Sequence, residues 1–390
     1  DLVINYADRV IFLLMGSLII AKAIETTNLH KRFALRILTI VGSESKSILA
    51  GFIIVTALLS AFMSNTVVTA MVLPLAISIL SVTNENHRKA FAPIIMITIA
   101  YSANIGGTIT IIGTPPNLIF SSLSREMGYD ITFLSWLPIG LSVSSILLLI
   151  LWLYLSHRLK GINVIESKQK VNDELIKLGP MSKQEKFVLG VFIATVVLWI
   201  SRSLWGSYIP NMDDSTVALL SSLILFVMRI DGRRLLTWDD VTTIPWGVLI
   251  LIGGSLAIAS AFIVTGLDRS IASIILVDLG SDILMLAFIT TLTIFMTELM
   301  TNTAVASLML PVVKGVAMNI GVEPLNLMFA VTLSASMSFM LPVATPPNAM
   351  AFASGYLSAA YMARTGLLMN IFCILVVTLL CYLIVGFINI

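Results

Sequence analysis

Charge is scarce in this sequence. Only 11% of its 390 residues are Asp, Glu, Lys or Arg, less than half the roughly 25% usual in soluble domains. A composition that is 58% hydrophobic with a mean hydropathy of +1.00 is more apolar surface than a soluble core absorbs. Cysteine is nearly missing: Cys373 and Cys381 both fall in the last apolar run, with neither a metal spacing nor an obvious disulfide partner, and read as apolar filler. His30, His87 and His157 fall in basic loops. No nucleophile with a base, no His/Asp/Glu cluster and no cofactor motif lies in the apolar runs, which leaves a membrane-embedded enzyme without chemistry. The opening DLVINYAD has no basic start and does not resemble a cleavable signal peptide. A net charge of +2 gives no sign of a nucleic-acid partner.

What is present is long apolar runs, at about 187–205, 244–265, 282–300 and 365–390 among others. Each is long enough to span a hydrocarbon layer of roughly 30 Å. Without water to satisfy backbone groups, these must be helices, or broken helices facing protein or a water-filled cavity. The expected class is an all-α polytopic membrane protein surrounded by lipid.

Three blocks recur in the same order. FMSNTVVTAMVLPLA (62–76) matches LMTNTAVASLMLPVV (299–313) at six of fifteen positions, offset 237. Upstream, GSLIIAKAIETTNLHKRFA (16–34) matches GSLAIASAFIVTGLDRSIA (254–272) at nine of nineteen, offset 238. Downstream, GTPPN (113–117) matches ATPPN (344–348), offset 231. A repeat with paired polar interruptions inside apolar surroundings is the signature of a secondary transporter.

The basic residues orient it. If the polar segment 157–186 is cytoplasmic and sides alternate outward from it, the segments 30–36, 84–90, 157–186, 229–234 and 355–364 lie inside with 16 Lys and Arg. The segments 124–135, 201–214, 266–273, 319–325 and the C-terminus lie outside with 3. The positive-inside rule favours this orientation. The matched loops HKRFALR and LDRSIAS then fall on opposite faces, so the repeat is inverted: 1–156 is the first copy, 157–186 a cytoplasmic linker and 187–390 the second copy. Sixty-seven residues separate the linker from Gly254, but only 15 precede the matching Gly16. The first copy therefore reads as N-terminally incomplete, with further spans expected upstream.

Each half is expected to hold a span with the GSL block, a surface helix (about 29–41 and 267–278) and two short helices (about 47–63 with 67–82, and 282–300 with 304–318). The polar tips Ser64-Asn65-Thr66 and Thr301-Asn302-Thr303 sit midway through some 35 apolar residues, which suits a re-entrant hairpin. A span from about 90 is interrupted at Gly113-Thr114-Pro115-Pro116-Asn117, its partner from about 326 at Ala344-Thr345-Pro346-Pro347-Asn348, and spans at 136–156 and 365–388 close the halves. Proline ends one helix and suits the first turn of another. Four helix restarts, after Thr66, Thr114, Thr303 and Thr345, would aim unpaired amides and dipole ends at one anion. The hydroxyls of Ser64, Thr66, Thr301 and Thr303 and the amides of Asn65 and Asn302 can bond carboxylate, while freed carbonyls coordinate Na⁺. No Lys or Arg stands within the motifs, so a dianion needs co-bound cations or a basic residue from elsewhere.

These paired Ser-Asn-Thr and Thr-Pro-Pro motifs resemble the divalent anion/sodium symporter family of di- and tricarboxylate transporters, over essentially the whole chain from Gly16. The resemblance implies that Ser64, Asn65 and Thr66 hold one carboxylate and Thr301, Asn302 and Thr303 the other, with Thr114, Pro115, Thr345 and Pro346 lining the pocket. It implies one Na⁺ site at Ser60, Ser64, Asn65 and Gly113, and a second at Thr297, Met300, Asn302 and Ala344. It also implies a homodimer in the plasma (inner) membrane and an elevator movement. In that movement a transport domain of about 43–125 and 279–360 slides against a scaffold of the remaining spans.

Duller readings exist for each residue. A single Ser-Asn-Thr is usually local back-bonding or helix packing, and a single Thr-Pro-Pro-Asn a loop turn; duplication at matching positions favours a site. Lys22 and Glu25 can simply pair, three apart on one helix. Glu298 reads as a brace for its hairpin. Lys314, about 16 Å along its helix from Thr303, reads as snorkelling to the interface. The leading expectation is sodium-coupled symport of succinate, malate or fumarate. A sodium-independent exchanger that relies on Lys22, or citrate or sulfate on the same fold, stays open.

Overall fold

The computed structural model describes residues 2–42, 44–159, 167–210, 212–267, 270–271 and 281–384. Among these, six helices are long and apolar enough to cross a membrane, or up to seven if one bent pair is a single span. Helix α1 (Arg9–Thr26) is capped by Asp8, whose carboxylate accepts from Val10 N at 2.9 Å. It turns by 69° into α2 (Leu29–Val41) at Asn28, whose φ of 58° is one that asparagine tolerates. This matches the surface helix expected at 29–41. Its counterpart at 267–278 falls largely outside the described residues.

The first hairpin is α3 (Ser45–Ser60) and α4 (Asn65–Val82). The first broken span is α5 (Glu85–Gly106) and α6 (Pro115–Glu126), and α7 (Phe133–His157) closes the half. The linker carries α8 (Ser167–Lys177). Then follow α9 (Lys183–Ile200), α10 (Arg202–Trp205) and α11 (Asp214–Val227). Two-residue strands β1 (Arg229–Ile230) and β2 (Arg233–Arg234) pair antiparallel, and α12 (Trp238–Thr242) leads into α13 (Trp246–Thr265). The second hairpin is α14 (Asp282–Leu299) and α15 (Asn302–Ile320). The second broken span is α16 (Pro324–Ser334) and α17 (Pro346–Ala353), and α18 (Ala359–Ile384) closes the half.

Two expectations are corrected. The breaks in α5/α6 and α16/α17 begin well before the prolines, at Gly107 and Ala335. Proline opens the second piece but does not end the first. The intervening carbonyls are instead held by the motif asparagines. Asn117 Nδ2 donates to the carbonyls of Gly107 at 3.3 Å and Thr110 at 2.8 Å, and Asn348 Nδ2 to those of Ser338 and Leu341, both at 3.1 Å. The hairpin restarts also come earlier than Thr66 and Thr303. Ser64 and Thr301 are the N-cap residues, and Thr301 Oγ1 accepts from Ala304 N at 3.3 Å.

Contacts between distant segments sort by the sides that the charge count assigns. Arg32 on α2 is buried against Glu185, with Nε to Oε1 at 2.6 Å, and donates to the linker carbonyls of Leu178 and Gly179 at 3.3 and 2.8 Å. Lys183 pairs with Asp231 at 2.9 Å, and Arg158 donates to Thr365 at 3.2 Å. At the other end, Arg125 lies 3.5 Å from Asp8 and Arg202 3.0 Å from Asp130. Lys314 does not snorkel: it is 8% exposed and reaches Glu126 at 3.9 Å. His30 is no loop residue either. It is buried in the first turn of α2, with Nδ1 3.1 Å from the Ile24 carbonyl.

The closing helices are fastened to the breaks. Trp136 Nε1 on α7 donates to the Thr108 carbonyl at 3.0 Å, and Ser144 Oγ lies 2.8 Å from Thr108 Oγ1. Gly140 passes so close to the Thr108 carbonyl, and Gly366 on α18 so close to that of Phe339, that a Cβ at either would overlap it. Two glycines from matching helices thus let matching carbonyls approach.

Candidate functional site

Both hairpin tips and both breaks open on one cavity of about 230 Å³. Ser64, Asn65 and Thr66 line it from the first tip and Thr301, Asn302 and Thr303 from the second. Gly113, Thr114 and Pro115 contribute from one break, and Ala344, Thr345 and Pro346 from the other. The opposite wall comes from α1 at Leu14, Ser17 and Leu18 and from α13 at Val248, after Pro245. All ten residues expected to bind substrate therefore meet at one place. No charged side chain is on this lining among the described residues.

Behind each tip lies an oxygen cluster. The Ser60 hydroxyl has one proton but two acceptors in range, Asn65 Oδ1 at 2.6 Å and the Ala103 carbonyl at 2.8 Å. Thr297 repeats this with Asn302 Oδ1 at 2.9 Å and the Ala335 carbonyl at 2.7 Å. Both hydroxyls are fully buried. Three oxygens converging on a single proton form an environment that a hard cation satisfies better than a hydrogen does. A Cβ at Gly113 would collide with the Gly107 carbonyl and stand 3.1 Å from that of Ala61, so glycine lets these carbonyl oxygens crowd the first cluster. Thr110 also donates to the Ala61 carbonyl. Of the expected cation residues, Ser64, Asn65, Gly113, Asn302 and Ala344 line the cavity, while Ser60 and Thr297 lie behind it. Met300 is the C-cap of α14, its N–H on the Met296 carbonyl at 3.0 Å, and is off the lining.

The four restarts have hydroxyl N-caps: Ser64, Thr114, Thr301 and Thr345. The hairpin restarts place first-turn amides and a positive dipole end at the cavity, whereas α6 and α17 open on Pro115-Pro116 and Pro346-Pro347, which carry no N–H, and contribute the dipole end alone.

Sequence reasoning missed the groups that hold the breaks in shape. Glu298 was expected to brace its hairpin; it does so by gripping the second break. Its carboxylate, 3% exposed, accepts from the amides of Phe339 at 2.7 Å, Met340 at 2.9 Å and Leu341 at 3.0 Å, and from Asn370 Nδ2 at 2.8 Å. Asn104, buried on α5, bonds across to the second half at Ser338, Thr345 and Asn348. Asn104 and Asn370 are lone amides in apolar spans, a signal that an intramembrane polar residue carries by default. Lys22 is not on this lining; it pairs with Glu25 at 2.9 Å and borders an adjoining pocket that shares Leu18, Met63, Ser64 and Pro245 with the cavity.

Paired polar tips and broken helices around one cavity, inside an apolar helical body, define a secondary membrane transporter rather than an enzyme. The sequence pattern described as the sodium:sulfate symporter transmembrane region matches residues 1–387. The chain belongs to this family, the divalent anion/sodium symporters. The protein named sodium-dependent dicarboxylate transporter SdcS in Staphylococcus saprophyticus is 34% identical over 404 residues, covering 98% of this chain and 77% of that protein. Its namesake in Staphylococcus aureus strain USA300 is 34% identical over 401 residues, covering 97% of this chain and 76% of that protein.

Proposed function

We propose that this protein is a sodium-coupled symporter of small dicarboxylates of the succinate, malate and fumarate class. The observation that carries the reading is a cavity ringed by four helix starts and lined by no basic side chain among the described residues, with an oxygen cluster behind each tip. A dianion placed there without compensation bears a large desolvation cost, which two Na⁺ ions offset. In this reading Ser64, Asn65 and Thr66 hold one carboxylate and Thr301, Asn302 and Thr303 the other. Ser60, Ser64, Asn65 and Gly113 hold one ion; Thr297, Met300, Asn302 and Ala344 hold the second. The names of the SdcS relatives agree with it. The exchanger reading needs a free cation beside the substrate, and Lys22 is instead engaged by Glu25.

The same proposal includes a homodimer in the plasma membrane, a cytoplasmic linker and an elevator movement. The cavity has its tips and breaks on one wall and α1 and α13 on the other, which supports a sliding seam between those walls. The bonds that fasten α7 and α18 to the breaks favour placing both closing helices with the moving body, beyond the limits at 125 and 360. Uptake of labelled succinate into proteoliposomes, with and without an inward Na⁺ gradient, tests the function. Gradient-driven accumulation is expected, and equal uptake without Na⁺ would refute coupling.

A further inference from the structure

Asn104, in the last turn of α5, and Ser336, just past the end of α16, lie before the two breaks at an offset of 232, one residue from that of the breaks themselves. Each reaches across to the opposite half, but they do different things there. Asn104 Nδ2 donates to the Ser338 carbonyl at 3.2 Å, to Thr345 Oγ1 at 3.2 Å and to Asn348 Oδ1 at 3.4 Å. The orientation of this amide is not ambiguous. Asn348 gives its own Nδ2 protons to two carbonyls, so its Oδ1 must face Asn104, and only an N–H₂ can face that oxygen and the Ser338 carbonyl together.

The consequence falls on Thr345. Its hydroxyl oxygen accepts twice, from Asn104 Nδ2 at 3.2 Å and from its own helix amide Asn348 N at 3.3 Å. A hydroxyl has two acceptor positions and one proton. Asn104 Nδ2 shares two protons among three acceptors, and whenever it donates to Thr345 both lone pairs of that hydroxyl are occupied, so the oxygen then donates to any further partner, and Thr345 lines the cavity. Thr114, its counterpart, makes no side-chain cap bond and accepts only from Ser336 Oγ at 3.5 Å. Serine is shorter than asparagine, and it leaves Asn117 Oδ1 without a partner.

Asn104 itself borders the cavity, and we infer that it acts as a positioning residue that biases the Thr345 hydroxyl toward donating its hydrogen bond to an anionic group, while Thr114 remains free to donate or accept. The two ends of the cavity therefore differ despite the repeat. The Thr345 end favours an acceptor such as a carboxylate oxygen, and the Thr114 end can in addition accept the hydrogen of a ligand hydroxyl, as in a 2-hydroxy dicarboxylate. This inference rests on the dicarboxylate reading above.

The test is a double-mutant cycle in succinate binding, measured in Na⁺ buffer on the purified full chain as wild type, Asn104→Leu, Thr345→Val and the pair. Losing one hydroxyl bond to a carboxylate weakens affinity by roughly tenfold or more. If Asn104 acts through Thr345, Asn104→Leu weakens binding severalfold in wild type but changes little once Thr345 is valine. Additive effects of the two substitutions would overturn the inference. Asn104→Ala carries the same comparison if the leucine variant is not monodisperse. Absence of succinate binding by wild type would instead defeat the dicarboxylate reading and remove this inference with it.

Discussion

The hydroxyl of Ser60 lies 2.6 Å from Asn65 Oδ1, and this contact ties the end of one hairpin helix to the start of the next. Thr297 and Asn302 repeat it at 2.9 Å in the second half. Each asparagine thus sits with its amide oxygen against the hydroxyl of the oxygen cluster while the residue itself lines the cavity. In the proposed reading, one such side chain would serve a cation and an anion at once.

Replacing either asparagine should therefore abolish transport. Asn65→Ala and Asn302→Ala remove a cation oxygen and an anion-facing amide together, and uptake should fall at least ~100-fold if each lost charged contact is worth about 1.5–3 kcal/mol. Both variants should remain monodisperse in detergent, because the hairpins keep their other bonds. Near-normal succinate uptake by either would remove its tip from the site.

Glu298 should matter more for shape than for ligand contact. Glu298→Ala leaves the buried amide of Phe339 and the half-buried amides of Met340 and Leu341 without an acceptor. Each such group costs about 1–3 kcal/mol, so the loss should appear first as a large fall in thermal stability. Glu298→Gln should also be destabilised, since its amide N–H₂ meets donors where an acceptor is needed. A melting curve that matches wild type for both would contradict the role assigned to this carboxylate.

The paired glycines give a packing test. Gly140→Ala and Gly366→Ala force a methyl into the carbonyls of Thr108 and Phe339. Overpacking of this kind costs about 1–3 kcal/mol. Both variants should lose thermal stability, with Gly190→Ala, where the added Cβ meets nothing, as the control. Equal melting temperatures across the three would show that α7 and α18 are not pressed against the breaks.

Orientation can be read by labelling. Cys373 and Cys381 are buried, so the native background should be low. A cysteine at Tyr208, 84% exposed, should react with an impermeant maleimide from outside intact cells, and one at exposed Ile176 should not. The reverse pattern would invert the topology.

The outline of the molecule was legible because its physics is periodic and duplicated. Apolar run length gave the spans, and repetition marked the tips, since Asn65 and Asn302 acquire meaning only as a pair. The limits of the breaks were not legible. Proline announces a helix start, but the preceding helices end where Asn117, Asn348 and Glu298 capture backbone groups from a distance. Those partners lie on other elements, and no local pattern names them. Asn104 was overlooked for the same reason, because its partners are 234 to 244 residues away.

Sodium dependence of substrate binding tests the central claim most directly. Succinate affinity should rise steeply with Na⁺ and nearly vanish in choline, because the cavity lining carries no positive side chain among the described residues. Lys22→Met should leave that dependence almost unchanged, its ammonium being engaged by Glu25. Full affinity in choline, lost on Lys22→Met, would contradict the sodium-coupled account and establish the exchanger in its place.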